Sequence, residues 1–239
     1  MTGEWIHPVY LHAATMRLMM AMLTARRFPI PIWRVLQIRN QIVLRRAPRA
    51  GCKLDVASRL GAVRVLPKAV EFDIAVEVAE GGRCALESVT TYHARGKFDG
   101  PRGEAAFARA PDPPSDARGG FSLARNGALE FARLTGDYNG IHLAAPYART
   151  LGFRGPLAHP HRALAEILDR LPDVELFEPF ELDVWFKGPV YYDRELALSH
   201  RSERGACTFA LRVDGDARPA VVGQLTRRLP PAERAWLAE

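Results

Sequence analysis

The same order of elements occurs twice in the chain, and this repeat restricts the fold more than any other feature. His7-Pro8 opens an apolar helical stretch over 8–24, and His159-Pro160 opens a second over 160–171. In the second, Ala163, Leu164, Ile167, Leu168 and Leu171 share one helical face, with Glu166, Asp169 and Arg170 opposite. Pro29 and Pro31 follow the first helix and Pro172 follows the second. Four strand-like segments come after each: 35–44, 54–60, 72–78 and 85–92, then 182–190, 195–200, 209–213 and 220–227. Alternation with period two in 182–187 and 209–213 gives each of these strands one buried face. Helix then antiparallel meander, twice, predicts an α+β plan with two long helices of similar length, each wrapped by a sheet. A stretch rich in Gly, Pro and charge separates the halves, which divide as 1–97, a linker over 98–120, and 121–239. Joining the two sheets edge to edge would remove two exposed edges.

Composition excludes several alternatives. Of 239 residues, 48% are hydrophobic and 25% charged, which is neither a disordered nor a collagen-like balance. Cys52, Cys84 and Cys207 lie far apart with no CxxC or Cys/His cluster, so neither a disulfide framework nor a zinc site is encoded. A reducing, cytoplasmic setting is expected. The net charge of +6 comes from scattered arginines, and the run Arg45-Arg46-Ala47-Pro48-Arg49 has no interleaved aromatics, so it reads as a solvated loop and not a nucleic-acid contact. The apolar stretch 9–23 is interrupted by His12 and Arg17, falls short of a membrane span, and lacks a signal-peptide cleavage pattern.

One segment concentrates chemically capable side chains. A short helix, expected to be capped by Asn126 and to carry Leu129, Phe131 and Leu134, breaks at Gly136. Asp137, Asn139 and His142 follow in a Gly/Asn-rich turn, which lets side chains at its two ends converge. A carboxylate and an imidazole facing one cavity can hold a water and exchange protons with a substrate carbon, and Asn139 can orient either group. Asp and Asn are also ordinary turn residues.

Gly136-Asp137-Tyr138-Asn139-Gly140-Ile141-His142, with the downstream Gly152-Phe153-Arg154-Gly155-Pro156-Leu157-Ala158-His159, resembles the MaoC-like or R-specific hydratase 2 signature, G/E-D-x-N-P-x-H and then G-F-x-x-P-I-x-H-G. Phe28-Pro29-Ile30-Pro31, Val35 to Asn40, Glu71 to Ile74 and Leu86 to Tyr92 are similar to the first half of single-chain 3-hydroxyacyl-thioester dehydratases of double hot-dog fold. The resemblance implies that fold, with catalytic Asp137, Asn139 and His142 in the second half and a degenerate first half walling an acyl tunnel. It implies reversible syn hydration of a trans-2-enoyl thioester to the (R)-3-hydroxyacyl form, on coenzyme A or acyl carrier protein. No metal or other cofactor is implied, nor a nucleic-acid or membrane partner, and there is room for a homodimer. A first-half counterpart of Asp137 would lie 22 residues before His7, off the chain, so one site of this type is expected.

Two departures bear on the chemistry. Gly140 replaces the signature's proline, which frees the turn at a cost of up to about 1 kcal/mol in ordering. Pro160 stands where the signature has a glycine whose N–H points at the thioester oxygen, and proline has no N–H, although it is favoured at a helix start. The His161 amide and imidazole are the expected substitute. Gly155, His159, His161, Lys187 and Arg154 are the candidate substrate-binding residues, the two cations for a phosphate of coenzyme A or phosphopantetheine. His7, His12, His93 and His200 read as core or surface fillers. An acyl-thioester-binding protein that has lost turnover is the alternative, and a hot-dog thioesterase would not need Asn139 and His142 at this spacing.

Overall fold

The computed structural model describes residues 4–115, 117–172, 174–203 and 205–227, so the end of the expected second half, 228–239, lies outside the described residues. Its first half runs α1 (Pro8–Leu23), β1 (Val35–Leu44), β2 (Leu54–Leu66), β3 (Ala69–Glu80) and β4 (Arg83–Arg95). The rest runs β5 (Ala117–Phe121), α2 (Ala128–Thr135), α3 (Gly140–Leu143), α4 (Ala145–Thr150), α5 (Pro160–Leu168), β6 (Phe180–Phe186), β7 (Leu196–Glu203), β8 (Ala206–Val213) and β9 (Val221–Thr226). One nine-stranded sheet in the order β2-β3-β4-β1-β6-β9-β8-β7-β5 curls around both helices. All its pairings are antiparallel. This is the expected α+β architecture of two wrapped helices, and the two sheets do join at an edge.

The joint is the pairing of β1 with β6, in register from Arg39↔Trp185 to Leu44↔Phe180. On its outer face Arg39 forks onto the Asp183 carboxylate, and Gln41 donates to Glu181 at 2.8 Å. Inside, Ile42, Leu44, Phe180 and Leu182 are buried beside Met19 of α1 and Leu164 of α5, so one core serves both halves. No helix among the described residues is long and apolar enough to cross a membrane.

The repeat is closest at the two helix starts. His7 Nδ1 accepts the N–H of Val9 at 3.2 Å, and His159 Nδ1 accepts the N–H of His161 at 3.3 Å, each followed by proline at the first helical position. The helices differ in length, however: α1 has 16 residues and α5 has nine. Pro172 disfavours helical backbone at Leu171, and α5 gives way to turns from Asp169, short of the expected end.

The linker is more structured than expected. Val65 donates to Pro101 O at 2.7 Å, Ala106 N–H to Glu71 at 2.8 Å, and the Trp185 indole to Ala106 O at 2.8 Å. It thus lies as a strap over the outer face of the sheet, and its last residues form β5. On β3 the strap covers Glu71, while Asp73 is held by Arg64 and Thr91 of the flanking strands. Arg45 and Arg46 are ion-paired with Glu87 and Glu80, and exposed Arg49 lies over the Trp5 ring, so the basic run is a loop tied to the fold by its partners.

Candidate active site

The site begins where α2 stops. Gly136 takes φ +74°, a left-handed conformation natural to glycine, and donates to Ala132 O at 2.8 Å. Asn126 is not the cap of α2: the N-cap position falls on Gly127, with no side-chain hydrogen bond. From α1, Arg17 Nε donates to Leu134 O at 2.9 Å and its Nη2 to Arg133 O, so a first-half cation closes the C-terminus of α2.

Three short-range bonds then shape the turn. Asp137 N–H donates to Thr135 Oγ1 at 3.2 Å, Asn139 N–H to Asp137 Oδ1 at 3.0 Å, and Ile141 N–H to Asn139 Oδ1 at 3.2 Å. The last bond caps α3 and commits the Asn139 oxygen, leaving its amide N–H groups without a partner among the described residues. Gly140 is no mere loosening of the signature: a Cβ there would lie 2.7 Å from the Tyr147 ring. The space a proline would use is already filled.

Asp137, His142 and His159 converge, with exposures of only 8%, 8% and 3%. Asp137 Oδ2 lies 3.6 Å from His142 Nε2 and 3.2 Å from His159 Nε2. Fixed partners decide both tautomers. His142 Nδ1 lies 3.0 Å from Leu157 O, an acceptor, so Nδ1 carries the hydrogen. His159 Nδ1 accepts a backbone N–H, so its Nε2 carries the hydrogen and donates to Asp137. Burial and the nearby His159 push the His142 pKa down to about 4, against the pull of Asp137, so at neutral pH its Nε2 is a bare acceptor. Burial alone would raise the Asp137 pKa, but hydrogen bonding and charge from His159, then His142, bring it down to about 2. The 3.6 Å gap therefore separates two proton acceptors.

The ligand atoms of Asp137, His142 and His159 lie within 4.8 Å of one another, close enough to meet at a cation. The donor set does not fit one, because the His159 Nε2 lone pair is unavailable while Nδ1 holds the His161 N–H.

These groups line a cavity of about 420 Å³. Its apolar wall includes Met16, Met20 and Leu23 of α1, Ile32 and Tyr92, all from the first half. Asn139, His159, Pro160 and Lys187 also line it, as does Arg95, which was not anticipated. Gly155, Arg154 and His161 do not. Arg154 is exposed, its N–H directed to the Tyr191 hydroxyl at 3.3 Å, and Gly155 is half-buried. His161 is fully buried, with its amide given to His159 and its Nε2 3.2 Å from Gln37, so it cannot stand in for the missing Pro160 N–H. His12, expected as filler, is buried against His161 with ring centroids 4.4 Å apart.

Sequence reasoning missed Arg17, Tyr92 and the tautomer-fixing role of Leu157 O. Arg17 and Tyr92 act across the fold and leave no local motif, and Leu157 acts through its backbone carbonyl, which a side-chain pattern does not reveal.

No protein-family model matches the chain, and no curated protein matches it by sequence. Solved structures do match. HtdX of Mycobacterium tuberculosis has a TM-score of 0.75 at 21% identity, over 94% of this chain and 88% of that one. A MaoC-like dehydratase from Phytophthora capsici has a TM-score of 0.72 at 17% identity, over 95% and 84%. A conserved hypothetical protein of M. tuberculosis described as a double hotdog has a TM-score of 0.60 at 15% identity, over 96% and 83%. The chain thus shares the double hot-dog fold of HtdX and the MaoC-like dehydratases.

Proposed function

We propose that this chain catalyses the reversible hydration of trans-2-enoyl thioesters to (R)-3-hydroxyacyl thioesters. One observation carries the reading: Asp137 Oδ2 and His142 Nε2, both free of protons, stand 3.6 Å apart in a cavity whose wall is mostly apolar. A water bridging them donates one O–H to each and turns its lone pairs outward. As its oxygen bonds to C3 of the substrate, His142 Nε2 takes one proton and the imidazolium delivers a proton to C2. Water supplies both added groups, and Asp137 stays ionised, holding the remaining O–H and stabilising the imidazolium. Dehydration is the reverse. The syn course and the (R) product are carried over from the signature.

The apolar wall suits an acyl chain, the Asn139 amide N–H groups suit its polar atoms, and Lys187 suits a phosphate of coenzyme A or of a carrier-bound phosphopantetheine. In this reading residues 1–97 form the degenerate half, 98–120 the connection and 121–239 the catalytic half of a cytoplasmic enzyme of fatty-acyl metabolism, alone or as a homodimer.

Loss of enoyl absorbance with crotonyl-CoA tests the reaction. Asp137→Asn is expected to abolish turnover while leaving the circular dichroism spectrum and melting temperature near those of the native protein. Full activity in that variant sinks the assignment. The missing N–H at Pro160 favours a second reading, an acyl-thioester-binding protein without turnover.

A further inference from the structure

We propose that His159 is a positioning residue of this reaction, a hydrogen-bond donor that fixes which oxygen of the Asp137 carboxylate faces the water. The inference rests on the reaction proposed above.

The geometry is specific. His159 Nε2 reaches Asp137 Oδ2 at 3.2 Å, while Asp137 Oδ1 is occupied by the Asn139 N–H at 3.0 Å. Both carboxylate oxygens are thereby held, and the one shared with His142 is set. The donor cannot switch tautomer without losing its own helix cap, because Nδ1 takes the His161 N–H. The ring is also hemmed in, with centroids of Phe131 and His142 at 5.0 Å and of His161 at 5.1 Å.

The repeat provides an internal control. His7 caps α1 through Nδ1 in the same way, yet its Nε2 lies 3.8 Å from an Asp169 side chain that is 62% exposed. Capping alone thus accounts for a histidine before each proline, but not for a buried contact with a carboxylate at the site. Proline at 160 fits this role, since its fixed backbone holds the His159 cap in place while contributing no competing N–H. The other titratable groups facing Asp137 are His142 from α3 and the Tyr92 hydroxyl from β4, and neither donates to Oδ2. With the donor in place the carboxyl sits at about 2, so its loss moves the Asp137 titration upward.

Two substitutions separate the nitrogens. His159→Asn keeps an acceptor where Nδ1 caps the helix and removes the donor that reaches Asp137. His159→Gln places an amide nitrogen near Nε2 and gives up the cap. With crotonyl-CoA, His159→Asn is expected to fold with a near-native melting temperature and lose about 10²-fold in kcat with little change in KM. His159→Gln should melt lower yet recover at least about tenfold of that loss. Near-native kcat in His159→Asn, or no advantage of Gln over Asn, overturns the inference. Carboxyl-labelled NMR titration of Asp137 and ¹⁵N shifts of His159 judge the same point without turnover. An Asp137 pKa unchanged in His159→Asn, or a protonated Nδ1 in the native protein, also overturns it. An inert native protein with the expected NMR behaviour removes the reaction but keeps the contact.

Discussion

Pro160 lines the cavity and brings no N–H to it, and His161 has already given its own to His159. A single donor missing from an oxyanion site costs about 3 kcal/mol, or about 10²- to 10³-fold in rate. Pro160→Gly is therefore expected to raise kcat about tenfold or more, while lowering stability by up to about 1 kcal/mol through the freer unfolded chain. Steady-state kinetics with crotonyl-CoA and a thermal melt check both. An unchanged rate in an active enzyme places the thioester oxygen on another donor, such as the Asn139 amide, and no rate in either form favours the binding-protein reading. The turn carrying Asp137 and Asn139 is legible in the sequence because its bonds span two residues each, whereas the ring of His142 is oriented by Leu157 O, fifteen residues further on. The reason for Gly140 is not legible locally, because the Tyr147 ring that fills the space is supplied from the next helix.

At the scale of elements, α1 does more than fill the first half. Arg17 reaches the last carbonyls of α2, where a cation satisfies acceptors the helix cannot. Arg17→Ala is expected to lower kcat about three- to tenfold by letting the Asp137 turn move, with amide exchange across residues 134–139 quickening. Unaltered exchange there would mean that Gly136 holds the turn unaided. Among the strands, β1 matches its expected bounds, whereas β3 and β4 run longer because they pair with each other from Ala69↔Arg95 up to the Gly81-Gly82 turn. β5 was hidden because Ala117 to Phe121 contains Gly119 and Gly120 and no alternation, and is a strand only through its pairing with β7. The apolar face of α5 continues in the sequence to Leu171, beyond the point at which Pro172 permits a helix.

For the whole molecule, the packing of two helix starts brings neutral histidines into one interior. Burial, with help from His159, holds the pKa of His12 at about 3 and that of His142 at about 4. Burial, His12 and His159 hold His161 well below its ordinary value. Each binds its proton more readily in the unfolded chain, at about 6.5, so stability is unaffected above that pH and falls as pH drops from there toward the folded values. The slope per histidine is about 1.4 kcal/mol per pH unit, and Asp137 adds a further loss below its unfolded pKa. Urea melts at pH 7 and pH 5 should show a sharp loss of midpoint at the lower pH, and equal midpoints would contradict neutral burial of these rings. Activity should extend lower than stability suggests, since His142 stays unprotonated to about pH 4. The cavity's wall draws on both halves, with Met16, Met20 and Leu23 of α1 and Phe153, Ala163 and Phe186 of the second half, whereas its acid–base groups all come from beyond residue 135. In the proposed reaction, the α1 share of the wall can therefore change to suit a different acyl chain without touching the groups that move the proton.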